Sequence, residues 1–118
     1  IYQTWPLMGY TYLPNDLIFT DLKNLINFEN HSLIQFYHRN LAYFITIYIL
    51  FLTFFIFRFG IKKLYKSILL IFLFLVIQII LGILTLISGL NIYLASSHQI
   101  TSVLLVFTAI NLYYSYIK

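Results

Sequence analysis

The sequence predicts an all-α integral membrane fold with three transmembrane helices, and two observations carry that prediction. Of the 118 residues, 62% are hydrophobic and only 8% are charged, far from the composition of a soluble globular domain. The apolar residues also gather into three runs, near 33–57, 67–90 and 96–117. Each run covers the ~20 residues with which a helix crosses a hydrocarbon core of ~30 Å. The runs are too long and too continuous for barrel strands, and they lack the alternation that such strands show. The many isoleucines and phenylalanines do not overturn this reading, because in lipid a helix satisfies its own backbone.

Residues 1–31 come first and are the least regular part, with Trp5-Pro6, Gly9, Pro14-Asn15-Asp16 and Asn27 as turn signals. They read as an extracytoplasmic loop or interfacial segment whose aromatics Tyr2, Trp5, Tyr10, Tyr12 and Phe19 suit the headgroup region. Asp16 or Thr20 would cap a short interfacial helix running toward Leu25, and Asn30 or Ser32 would cap the first span. The first transmembrane helix is assigned to 32–58, a basic cytoplasmic loop to 59–66 and the second helix to 67–90. A short extracytoplasmic turn at 91–95 then leads to the third helix at 96–117.

Charge placement sets the orientation. The formal net charge is +4, but this does not point to nucleic acid, because most basic residues bracket the spans. Arg58, Lys62, Lys63 and Lys66 fall in one short loop and Lys118 ends the third helix, so the positive-inside rule puts both on the inner side. The three acidic residues, Asp16, Asp21 and Glu29, all fall in the outer segment. Cysteine is absent, which excludes a disulfide framework, a thiolate metal site and a covalently attached c-type haem. Residue 1 is Ile and no signal peptide precedes the spans, so the chain is expected to be a fragment or a processed piece.

Sparse polar and small residues mark the helix faces. On the first helix these are His38, Ala42, Thr46, Ile49 and Thr53, and on the second Gln78, Gly82, Thr85 and Gly89. On the third, His98, Ser102, Leu105, Ala109 and Leu112 continue a narrower stripe. Such faces are expected to meet protein, with hydroxyls bonding across helices, and the Gln78 to Gly89 stripe is expected to serve packing.

His38 and His98 are the functional candidates, since an intramembrane histidine is a functional hypothesis by default. His38 lies twenty residues before Arg58 and His98 twenty before Lys118, which sets both imidazoles ~30 Å from the basic face on parallel helices. Two such imidazoles suit opposite faces of a haem. Zinc, copper or non-haem iron would want further Cys, Asp or Glu ligands that these helices do not offer. The plainer alternative is that His38 bonds a neighbouring helix, Arg39 snorkels to headgroups and His98 caps a helix end. Under the haem reading Arg39 would pair with propionates. Gln35, Gln99 or a backbone carbonyl would hold the free ring nitrogens. His31, ahead of the span, reads as solvated or loop-bonded.

The runs Tyr2-Gln3-Thr4-Trp5-Pro6-Leu7-Met8, Asn27-Phe28-Glu29-Asn30 and Gln35-Phe36-Tyr37-His38-Arg39 resemble the outer loop and sixth helix of haem A synthases. Gln78, Leu81, Gly82, Ile83 and Thr85-Leu86, then Ala95, His98 and Gln99, are similar to that family's seventh and eighth helices. The resemblance covers essentially the whole chain and is closest to the alphaproteobacterial and mitochondrial branch. Members commonly differ at Gln3 and Tyr37 and carry a further residue between Met8 and Gly9.

The resemblance implies an eight-helix protein built as two four-helix halves, of which this chain is the second half without its first helix: three transmembrane helices forming part of a four-helix haem-binding bundle. It implies oxidation of the C8 methyl of haem O, the substrate, to the formyl of haem A for terminal oxidases. It also implies a non-covalent haem b between His38 and His98, with no catalytic residue in this fragment. A second histidine pair and a glutamate would lie in the missing N-terminal half, leaving the fragment inactive alone. Its implied partners are the lipid bilayer, haem O synthase and an unidentified electron donor, in a bacterial or mitochondrial inner membrane. An electron-transferring cytochrome b-type subunit without oxygenase activity is the competing class.

Overall fold

The computed structural model describes residues 3–14, 22–26 and 29–118. Its elements run α1 (Leu22–Leu25), α2 (His31–Arg58), a 3-10 turn (Lys62–Leu64), α3 (Tyr65–Ile87) and α4 (Ile92–Ile117). Apart from one isolated bridge between Met8 and Thr11, the regular structure among the described residues is helical. Three helices are long and apolar enough to cross a membrane, His31–Arg58, Lys62–Ile87 and Ile92–Ile117. They present side chains such as Phe44, Phe51, Phe54, Leu73, Val106 and Phe107 on their outer surfaces, as an integral membrane protein does in lipid.

Local chemistry sets the helix ends. Asn30 is the cap of α2: its side-chain oxygen accepts from the N–H groups of Ser32 at 3.0 Å and Leu33 at 3.3 Å. Asn91 does the same for α4, accepting from Tyr93 at 2.9 Å and Leu94 at 3.3 Å. This second cap corrects an expected boundary. Residues 92–95 are the first turn of α4, so the link is shorter than the turn assigned to 91–95. Both α2 and α3 stop at a glycine of positive φ, Gly60 at 64° and Gly89 at 78°. In each case the next residue's N–H reaches back, Ile61 to the Ile56 carbonyl at 3.1 Å and Leu90 to the Thr85 carbonyl at 2.9 Å. Gly89 therefore ends α3 and does not extend its packing stripe. The short helix expected near Leu25 exists as α1, while its expected caps Asp16 and Thr20 lie outside the described residues.

The densest packing lies at the basic end. Ile56, Leu64, Ile68 and Ile71 are buried together, with Ile49, Leu52, Leu105 and Leu112 against them. Between α3 and α4, the Asn111 amide donates to Ser67 Oγ at 3.2 Å, and Ser67 Oγ lies 3.4 Å from Ser115 Oγ. Lys63 donates to the Tyr116 carbonyl at 3.0 Å. The threonine hydroxyls depart from expectation. Those of Thr46, Thr53, Thr85 and Thr101 donate to the carbonyls of Ala42, Ile49, Leu81 and Ser97 on their own helices. A carbonyl four residues back is always within a threonine's reach, so the hydroxyl is satisfied without help from a neighbouring helix.

Candidate functional site

Toward the opposite end the helices part, leaving a groove of about 290 Å³ whose walls come from the N-terminal loop, α2, α3 and α4. His38 and His98 face each other across it, with ring centroids 6.4 Å apart and planes at 83°. The twenty-residue spacing thus corresponds to one shared level in the bundle. The remaining lining is largely apolar, including Leu75, Ile79, Ile83, Leu86 and Leu105.

The two imidazoles are held differently. His98 is half-buried and its Nδ1 lies 3.0 Å from the Gln78 backbone carbonyl. A carbonyl only accepts, so Nδ1 carries the proton and Nε2 keeps its lone pair. His38 is exposed and makes no hydrogen bond among the described residues. Of the groups expected to hold a free ring nitrogen, it is a backbone carbonyl that meets His98. Gln35 lines the groove one turn before His38. Gln99 does not line it: it follows His98 directly, about 100° further round the helix, and its side chain is exposed.

Arg39 lines the groove but is committed elsewhere than expected. It is buried, 8% exposed, and its guanidinium donates to the backbone carbonyls of Thr4, Pro6 at 3.4 Å and Leu7 at 3.2 Å. Arginine has five donors in a rigid fork, and here they gather three carbonyls of one tight loop. Thr4 closes the same loop, donating to the Leu7 carbonyl at 2.7 Å and accepting from the Gly9 N–H at 2.8 Å. The loop places Trp5 on the wall of the groove. Arg39 thus ties the loop to α2 beside His38. His31 opens α2 and is exposed.

Two groups that sequence reasoning assigned to packing belong to this site. A Cβ at Gly82 would stand 2.9 Å from His98 Cε1, so the imidazole occupies the space of the missing side chain. Gln78 contributes its carbonyl to His98, while its own Oε1 is buried with no hydrogen-bond partner among the described residues. The signal was present in the four-residue spacing of Gln78 and Gly82, but only the pairing of α3 with α4 shows what faces them. No cluster of three or more His, Cys, Asp or Glu side chains suited to a metal occurs among the described residues.

The profile of the cytochrome oxidase assembly protein family matches residues 1–110. Heme A synthase of Pelagibacter ubique is 43% identical over 106 residues, covering 88% of this chain and 30% of that protein. Heme A synthase of Wolbachia sp. subsp. Brugia malayi is 42% identical over 105 residues, covering 89% and 30%. That of Rickettsia felis is 32% identical over 105 residues, covering 89% and 31%. The chain therefore spans about 30% of the length of these curated relatives. No solved structure matches it.

Proposed function

This chain belongs to the cytochrome oxidase assembly protein family, and from that premise we propose that it is the haem-holding part of a haem A synthase. In this reading His38 and His98 are the residues that would hold a non-covalent b-type haem. The observation that carries it is the 6.4 Å between the imidazole centroids.

The donor set suits this group. Two imidazoles, with no third His, Cys, Asp or Glu clustered beside them among the described residues, would suit a metal that brings nitrogen ligands of its own, and the walls of the groove are largely apolar. Nε2 of His98 keeps the lone pair that ligation needs. Trp5, on the loop that Arg39 holds, forms part of the groove's wall. A haem bound on both faces supplies electron transfer and leaves oxygen no open position. Neither histidine is thereby a catalytic residue.

Oxidation of the C8 methyl of haem O to the formyl of haem A is proposed for the whole protein, with haem O as its substrate. Haem O synthase would deliver that substrate and a separate donor would supply electrons. We place the protein in a bacterial or mitochondrial inner membrane, with residues 1–31 outside and the 59–66 loop inside, on the distribution of its basic residues. Four-helix haem bundles have the same construction, with a further helix closing the groove. Pigment extraction tests the enzymatic part: cells lacking the gene accumulate haem O, and the complete gene restores haem A. Haem O persisting after complementation rejects the synthase reading in favour of a cytochrome b-type electron carrier.

A further inference from the structure

His98 rests against α3 in a place made for it. The ideal Cβ at Gly82 would lie 2.9 Å from Cε1, 3.4 Å from Nδ1 and 3.5 Å from Nε2 of the imidazole. The carbonyl that Nδ1 reaches, at 3.0 Å, belongs to Gln78, four residues earlier. These two facts are one geometry. In an α-helix a side chain covers the turn N-terminal to its own Cα, so a side chain at 82 would lie over the Gln78 carbonyl. That carbonyl is also the regular helical acceptor for the Gly82 N–H. Its second lone pair is reachable from α4 only where residue 82 leaves the approach open.

We infer that Gly82 and the Gln78 carbonyl form a positioning seat for His98, fixing its proton on Nδ1 and presenting Nε2 to the groove. The inference rests on the ligand reading of His98 and deepens it by naming what orients that ligand. Gly82 is a positioning residue, acting through the imidazole for which it leaves room. The seat does two jobs. It selects one of two neutral tautomers, and the Nδ1–H donation to a carbonyl makes Nε2 a stronger donor to a metal. His38 has no such bond among the described residues, so the two sides of the groove hold their imidazoles unequally.

Gly82→Ala is an informative variant because alanine is the better helix former. The atom it would meet is the far end of the His98 side chain, so the imidazole moves while the helix persists. In the apoprotein in bilayers, labelled with 15N-histidine at alkaline pH, wild-type His98 is expected in the Nδ1–H form. Gly82→Ala is expected to release a population with the proton on Nε2. In the haem-loaded protein, Gly82→Ala should weaken haem retention roughly 10- to 100-fold, the usual cost of losing a ligand's outer partner, and shift the midpoint potential. Thr85→Ala, near Gly82 on α3 but outside the groove, should change neither.

A wild-type His98 with its proton on Nε2 overturns the seat, and so does Gly82→Ala that leaves tautomer, retention and potential unchanged. The wild-type measurement needs neither variant nor haem. A chain with His98 in the Nδ1–H form that binds no haem upholds the seat and rejects the ligand reading. Haem ligated by both histidines with His98 protonated on Nε2 in the apoprotein does the reverse.

Discussion

At the basic end, Ile56, Leu64, Ile68 and Ile71 close on one another with almost no exposed surface, whereas toward the other end the same helices separate around His38 and His98. The first region is held by interlocking aliphatic side chains and a small Ser67–Ser115–Asn111 cluster. The second is held by polar contacts to backbone carbonyls: Arg39 to the loop at 4–7 and His98 to Gln78. In lipid, helices gain little from burying apolar surface against each other and must gain from contact itself. A groove forfeits that contact, so it needs tight packing elsewhere and directed bonds at its rim. On the proposed reading stability belongs to one end and ligand binding to the other, and substitutions at the two ends should have different consequences.

The largest expected effect is at the groove. His38→Ala or His98→Ala should abolish the low-spin haem spectrum of the purified protein while the helical circular dichroism persists. An unchanged spectrum in both variants removes the ligand assignment. Ile68→Ala at the opposite end should do the converse. Lipid is as apolar as the lost side chain, so only the contact and cavity part of a core truncation remains, about 2 kcal/mol. Denaturation in mild detergent should register that loss with the haem spectrum of the folded fraction unaltered.

Arg39→Ala tests whether the rim is separate from both. Losing donors to three loop carbonyls should cost about 1–2 kcal/mol, expressed as local opening. Trp5 is the only tryptophan, so its fluorescence should shift to the red and its quenching by bound haem should weaken. The smallest effect is expected at Asn91→Ala, where loss of a helix cap costs about 1 kcal/mol. Fraying should reach the first turn of α4 and stop before His98, as seen by amide exchange at Tyr93 and Leu94.

The long-range plan was legible because it depends on quantities a sequence carries directly. Apolar run length marks the spans, Asn30 marks the start of α2, and equal residue counts put His38 and His98 at one level. What escaped depends on which helix faces which. Gly82 looks like any small packing residue until α4 is placed against it with an imidazole in the gap. Gln99 seemed a natural neighbour for His98, yet sequence adjacency on a helix means divergence. Arg39 reads as an interfacial cation beside His38, and its bonds to the loop are invisible in sequence because the carbonyls that accept them lie more than thirty positions away. The early start of α4 is hidden because Gly89 and Asn91 read as a turn that runs on through Ile92-Tyr93, until the Asn91 cap is recognised.

Electron paramagnetic resonance of the oxidised, purified protein tests the central claim most directly, because it reads ligand identity and ligand orientation together. Imidazole planes near 83° to each other across one ferric haem should give a highly anisotropic low-spin signal, lost in both His38→Ala and His98→Ala. A signal that is purely high-spin in the wild type, or a low-spin signal that survives both substitutions, would contradict the assignment of His38 and His98 as the haem's two ligands.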